Sequence, residues 1–190
     1  MRKVVAVEFV SVDGVMEAPE EWAFSYTNDE MEEANASGMA ASDALLLGRV
    51  TYEQMAAFRS NQSGGVPMVD YMNTVPKHVV SRTLEEPLGW ANSTLISGNE
   101  FAEDITRLKQ QPGEDIAILG SGALVRSLLQ YDLLDELRLI VHPIVLGSGK
   151  RLFEDEGYRK PLELVDSKTF ATGVLYLTYR PARQEEGESG

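Results

Sequence analysis

Cysteine is absent from all 190 residues, which excludes disulfides, thiolate-bound metal and cysteine nucleophiles. Histidine is scarce. His78 and His142 are the only two, neither has a partner at metal-ligand spacing, and both read as structural, so no metal is expected. No Gly-x-Ser-x-Gly elbow occurs, and a serine–histidine–aspartate triad has little to build on. No apolar run approaches the length of a membrane span. Met1-Arg2-Lys3 enters a strand-like run at once, without the apolar core and cleavage site of a signal peptide, and a cytoplasmic location is the expectation. Basic charge is short as well. Seventeen Lys and Arg stand against 30 Asp and Glu, for a net charge of −13, which argues against nucleic acid as a partner.

What is present is a composition of 43% hydrophobic and 25% charged residues, that of a globular domain able to bury a core. One domain over residues 1–180 is expected, with a polar, disordered tail over 181–190. Two junctions stand out: Leu45-Leu46-Leu47-Gly48-Arg49-Val50-Thr51-Tyr52 and Ile118-Leu119-Gly120-Ser121-Gly122-Ala123-Leu124. Each reads as a buried strand that stops at glycine and turns directly into a helix. Such a turn aims free backbone N–H groups and the positive end of a helix dipole at one point, which suits a phosphate. Between them Val79-Val80-Ser81-Arg82 reads as a strand ending in a hydroxyl and a guanidinium. In so acidic a chain, Arg49 and Arg82 fall where a polyanion would need cations; the plainer reading makes both solvated arginines, and the glycines tight turns without a ligand.

Val4 to Val10 is almost continuously apolar and reads as a central strand. A loop holding Trp22, Phe24 and Tyr26 leads to a helix capped by Asn28 and running toward Gly38. Ala44 to Leu47 is a strand and Thr51 to Phe58 a helix; Arg59 to Pro67 reads as a mobile surface loop. Strands follow at Lys77 to Ser81 and Thr94 to Ser97, then a helix from Phe101 to Gln111, a strand from Ile116 to Leu119 and a helix from Ala123 to Gln130. Leu137 to Leu146 reads as a long strand in which Pro143 implies a bulge or an edge. Leu162 to Phe170 and Val174 to Tyr179 form a hairpin around Ala171-Thr172-Gly173. Strand–helix alternation followed by strands alone predicts an α/β fold with a mixed sheet between helices.

Up to about Arg180 the chain resembles the dihydrofolate reductase-like superfamily, and within it the reductase domain of the bacterial riboflavin-biosynthesis deaminase-reductase, the RibD C-terminal domain, as a stand-alone member. The resemblance is carried by Ser11-Val12-Asp13-Gly14-Val15, Leu47-Gly48-Arg49-Val50-Thr51-Tyr52-Glu53, Val80-Ser81-Arg82, Leu119-Gly120-Ser121-Gly122-Ala123 and His142-Pro143-Ile144-Val145-Leu146-Gly147-Ser148-Gly149, in this order and spacing. It implies an eight-stranded, mostly parallel sheet with NADPH lying across the carboxyl ends of the strands. On that template Gly48, Arg49, Val50 and Thr51 meet the pyrophosphate and Ser81 with Arg82 holds the adenosine 2′-phosphate. Gly120, Ser121, Gly122, Ala123 and Leu124 cradle the remaining phosphate and line the nicotinamide side. The resemblance further implies a homodimer.

Hydride transfer needs the acceptor held against the cofactor in a dry pocket. On the resemblance, Val12 to Tyr26 is the loop closing over nicotinamide, and Trp22 and Phe24 line the substrate pocket, unless each is ordinary core. Asp13 is the carboxylate best placed to act in catalysis; an Asp-Gly turn is the other reading. Dihydrofolate reductase carries one acidic residue on its first helix, against the pterin, whereas Asp29, Glu30, Glu32 and Glu33 all compete for that place here. The expected reaction is therefore NADPH-dependent reduction of a small heterocycle, pyrimidine- or pterin-like. Two alternatives stand beside it: the 5-amino-6-(5-phosphoribosylamino)uracil reductase of riboflavin biosynthesis, with Lys150 and Arg151 for the substrate phosphate, and a dinucleotide-binding module without turnover. With no deaminase-like stretch and no cysteine for its zinc in these 190 residues, the bifunctional enzyme is not the expectation.

Overall fold

The computed structural model describes residues 1–59, 65–154 and 159–182. In chain order the elements are β1 (Val4–Ser11), α1 (Pro19–Trp22), α2 (Asp29–Ala40), β2 (Ser42–Gly48), α3 (Arg49–Arg59), α4 (Pro67–Thr74), β3 (Lys77–Val80), β4 (Ser93–Ile96), α5 (Phe101–Gln110), β5 (Asp115–Leu119), α6 (Gly122–Gln130), β6 (Glu136–His142), β7 (Leu162–Thr169) and β8 (Leu175–Pro181). They build one eight-stranded sheet in the order β4-β3-β2-β5-β1-β6-β8-β7. β4 through β6 run parallel; β8 is antiparallel to β6, and β7 to β8. This is the α/β mixed sheet that the sequence pattern predicts, with the eight strands that the resemblance implies.

Strand periodicity divides the core between the two faces. Val4, Ala6 and Val10 of β1 with Ile116 and Ile118 of β5 pack under Ile105 and Leu108 of α5 and Leu124, Val125 and Leu128 of α6. On the other face Leu45 and Leu47 meet Tyr52 of α3 and Met72 of α4, while Met31 of α2 packs with Ile140, Phe170 and Val174. α2 begins where expected, since the Met31 N–H donates to Asn28 Oδ1 at 3.1 Å. Glu30 is tied down there as well. Its carboxylate accepts the Ala171 N–H at 2.6 Å, which lowers its pKa and fastens α2 to the β7–β8 turn.

Two expectations are corrected. The strand from Leu137 stops at His142, because Pro143 has no N–H to donate, and the Ile144 N–H turns back to the His142 carbonyl at 2.8 Å. The surface loop is shorter than expected, since Pro67 opens α4 from its first turn, where the missing N–H costs nothing. Residues 60–64 of that loop, and the tail beyond 182, lie outside the described residues. No helix among the described residues is long and apolar enough to cross a membrane.

Candidate functional site

The carboxyl ends of β1 and β5 meet where the winding of the sheet reverses. From β1 the chain crosses to β2 by way of α2 on one face; from β5 it crosses to β6 by way of α6 on the other. Open α/β sheets bind ligands in the crevice outside the strand ends at such a reversal. Here the crevice is widened, because β5 ends at Leu119 opposite Val7 while β1 continues beside β6 as far as Ser11.

Both glycine junctions open onto this edge, and they are stitched together. The Gly48 N–H donates to Ser121 Oγ at 2.9 Å, and the Ser121 hydroxyl donates to Thr51 Oγ1 at 2.6 Å. Ser121 achieves this in a left-handed conformation, φ 73°, next to Gly120 at φ 74°. A Cβ on Gly48 would stand 3.1 Å from Ser121 Oγ, so a larger residue there would push on the clamp. The first N–H groups of α3 and α6, which no helical turn satisfies, are held side by side. Arg49 and Val50 at the start of α3 are exposed, with Arg49 paired to Glu53 at 2.8 Å; Ala123 is exposed, and Leu124 is core.

Further along the same edge, Ser81 Oγ accepts the N–H groups of Thr83 and Leu84 at 3.1 and 3.0 Å, which shapes the turn after β3. Arg82 projects from this turn into solvent. Its one contact, to the Gly98 carbonyl, is long at 3.5 Å, and it has no carboxylate partner among the described residues. Arg2, Arg49, Arg107, Arg126, Arg138, Arg151 and Arg180 all sit in ion pairs, whereas the Arg82 guanidinium faces solvent without such a partner among the described residues.

The loop after β1 differs from the sequence picture. Asp13 Oδ1 accepts from the Ser11 hydroxyl at 2.7 Å and from the Leu146 N–H at 3.1 Å, and Oδ2 accepts the Gly147 N–H at 2.8 Å. These donors, led by Ser11, lower its pKa from 3.8 to about 2, so the carboxyl is ionised and holds no proton to give. Arg151 is drawn in too, donating from Nε to the Asp13 carbonyl at 3.0 Å. Trp22 is buried, with Nε1 donating to the Glu17 carbonyl, whereas Phe24 is exposed. Trp22 instead joins Phe9 and Tyr26 around His142, with ring centroids 5.2–5.6 Å from the imidazole. His142 Nδ1 meets the Ile140 carbonyl at 2.9 Å and burial lowers its pKa, which leaves it neutral. A cleft lies on the α2 face, over Val7 and Leu119 and rimmed by Asn35, Tyr71, Arg138 and Tyr176. Sequence reading overlooked these rim residues; the available signal was Arg138, a charge inside the apolar run of β6.

The Asp13 tether carries an expected outcome. A carboxylate with a depressed folded pKa stabilises above its unfolded pKa and loses that contribution as pH falls through the folded value. Asp13→Ala should lower the melting temperature by a few degrees at pH 7, with the difference from wild type narrowing as pH falls from about 4 toward 2. A gap constant over that range in thermal melts would refute the tether.

Fold and crevice together define an α/β protein of dihydrofolate reductase-like architecture. Residues 2–176 match the RibD C-terminal domain model, and the chain belongs to that family. Among its relatives are two uncharacterised proteins of Bacillus subtilis (strain 168). YyaP is 31% identical over 140 residues, 72% of this chain and 73% of YyaP; YwjB is 31% identical over 178 residues, 91% of this chain and 95% of YwjB. Similar folds occur in a Shewanella sp. PV-4 protein named for riboflavin biosynthesis (TM-score 0.75, 22% identity, 95% of this chain and 99% of that one) and in the Thermotoga maritima diaminohydroxyphosphoribosylaminopyrimidine deaminase/5-amino-6-(5-phosphoribosylamino)uracil reductase (TM-score 0.66, 14% identity, 95% of this chain but 57% of that one). Enterococcus faecalis dihydrofolate reductase, solved in complex with NADP(H), shares the fold at TM-score 0.58 and 15% identity, over 95% of this chain and 97% of that one.

Proposed function

We propose that this protein is an NADPH-dependent reductase that reduces a small, flat heterocycle of pyrimidine or pterin type. The observation that carries the reading is the clamp of Gly48, Thr51 and Ser121 at the β1/β5 reversal, with the unpaired Arg82 on the same edge. The clamp presents two helix N-termini to one pyrophosphate, and the fork of Arg82 suits the 2′-phosphate. The cofactor, when bound, supplies the hydride. The chain's own part is to hold, orient and exclude water. The loop from Val12 to Tyr26, pinned by Trp22 against His142, closes the crevice, and the cleft on the α2 face receives the acceptor. Asp13 acts as a positioning residue for the Leu146–Gly147 segment and not as an acid.

A phosphorylated acceptor is the weaker reading, because of the two cations that would hold its phosphate Arg151 is already engaged with Asp13, which leaves Lys150. The deciding experiment is calorimetric titration with NADPH and NADH, followed by an absorbance screen for NADPH oxidation with pyrimidines and pterins. Preferential NADPH binding with turnover on one acceptor supports the reading; a folded protein that binds neither nucleotide overturns it.

The same reading includes a homodimer, formed through β7. This edge strand is exposed from Glu163 to Thr169. Antiparallel pairing of two copies about the Val165–Asp166 midpoint sets Glu163 of one opposite Lys168 of the other, twice. Light scattering should give twice the 21.0 kDa chain mass, and Lys168→Glu should shift the population to monomer. A monomeric wild type would refute this.

A further inference from the structure

Glu8 is the one feature of β1 that the fold does not explain. It is 1% exposed, lies on the central strand between Ala6 and Val10, and Oε1 has no hydrogen-bond partner among the described residues. Nor does any lysine or arginine among them pair with it. Burying an acid in this way is costly, and a structural role would be served better by an apolar residue. Its place is specific. Glu8 follows Val7, the last β1 residue paired with β5, and on the other side it pairs with Leu139 of β6. Next to it on the β5 side the chain continues as Gly120, which has no side chain and has already left the strand. Glu8 therefore lies at the level where β5 has ended, on the face of the sheet that carries α6.

The chemistry of the group narrows its ligand. Burial raises its pKa well above the usual carboxylate range, which favours the protonated form. A neutral carboxyl does not bind phosphate as a cation would. A metal is disfavoured too, because no group of three His, Asp or Glu able to hold one occurs among the described residues. What a protonated carboxyl offers is one donor and one acceptor side by side in a plane. A primary carboxamide offers the mirror image, one acceptor and one donor.

We propose that the Glu8 carboxyl recognises the carboxamide of the nicotinamide ring through a pair of hydrogen bonds. The proposal rests on the cofactor reading above and assigns Glu8 as the residue that distinguishes the nicotinamide end of the dinucleotide. Neutrality matters, since an ionised Glu8 would have no donor for the amide oxygen.

The test uses calorimetry on wild type, Glu8→Leu and Glu8→Gln with three probes: NADPH, its 3-acetylpyridine analogue, which lacks the amide N–H groups, and 2′-phospho-ADP-ribose, which lacks the nicotinamide altogether. Glu8→Leu should weaken NADPH binding by about tenfold or more while leaving 2′-phospho-ADP-ribose unchanged. Glu8→Gln, which keeps a donor and an acceptor, should stay within about threefold of wild type for NADPH. The acetylpyridine analogue should bind wild type more weakly than NADPH but Glu8→Leu about equally. Removing a buried, unpaired acid should leave the fold at least as stable, which a thermal melt checks. Glu8→Leu binding NADPH like wild type, or losing both NADPH and 2′-phospho-ADP-ribose equally, overturns the assignment. If wild type binds neither NADPH nor 2′-phospho-ADP-ribose, the cofactor reading itself fails, a separate outcome.

Discussion

Arg82→Ala is expected to weaken NADPH binding by roughly ten- to a hundredfold, the equivalent of about 1.5–3 kcal/mol for hydrogen bonds to a charged group. NADH binding should hardly change. The reasoning starts from what Arg82 lacks. Seven other arginines among the described residues, Arg49 and Arg138 among them, pair with carboxylates, whereas Arg82 makes one long contact to a carbonyl and is otherwise solvated. A guanidinium that is not held internally can pair both N–H groups with phosphate oxygens without breaking an existing ion pair. The long contact runs from Arg82 Nη2 to the Gly98 carbonyl, and Gly98 lies just beyond the end of β4, on the same sheet edge. Because Arg82 is exposed, its loss should leave the melting temperature near wild type, which separates a binding effect from a folding effect. Arg82→Lys should recover part of the affinity, keeping the charge but not the fork. Equal weakening toward NADPH and NADH, in paired titrations, would show that Arg82 does not read the 2′-phosphate.

The second large effect concerns Lys77, at the start of β3 and 0% exposed. Its Nζ donates to the carbonyls of Met72 and Val75, each at 2.8 Å, and lies 4.7 Å from the centroid of a Trp90 ring. No carboxylate among the described residues compensates the charge, and burial lowers the pKa from 10.5 to about 8. The direction of the stability effect follows from proton counting. Between those two values the unfolded chain binds more proton at this site than the folded one, so stability rises with pH. The penalty is fully present below about pH 8 and disappears as pH rises toward 10.5, a change on the order of 3 kcal/mol. A neutral amine still has two N–H bonds for the two carbonyls, so the contacts survive deprotonation. Urea unfolding of wild type and Lys77→Met at pH 7, 9 and 10 measures this as a difference in which other titrating groups cancel. Wild type should gain on the variant as pH rises; a difference independent of pH would mean that Lys77 titrates as in solvent.

Much of the sheet could be read from local signals. β1, β2 and β5 announce themselves as short apolar runs ended by turn residues, and the Asn28 cap follows from one residue type placed before an acidic first turn. Gly48 and Gly120 were legible for the same reason, since a strand that turns into a helix in so few residues needs backbone freedom there. The links between them were not. Ser121 bridges Gly48 and Thr51 across a gap of 70 residues or more, and Asp13 reaches Leu146 and Gly147 from the far end of the chain. Contacts of that separation leave no periodic trace. α4 was hidden by its Gly/Pro-rich approach, which reads as loop although proline at a first helical turn is favourable. Glu8 was passed over because its neighbours made β1 a core strand, and one acid does not alter that pattern.

The position of β1 also governs how this chain can assemble. The first strand of this sequence lies at the middle of the finished sheet, where Val4 pairs with Ile116 and Val5 with Glu136. Neither partner exists until most of the polypeptide has been made. Until then the nascent chain carries an apolar segment with both edges open, the state in which strands mispair between molecules. Closing such distant pairs late and together makes folding slow and concerted, and the crevice is among the last parts to form, since it needs β1, β5 and both glycine turns at once. Truncation from the carboxyl end before β6 would therefore be expected to yield an aggregating fragment and not a smaller working domain.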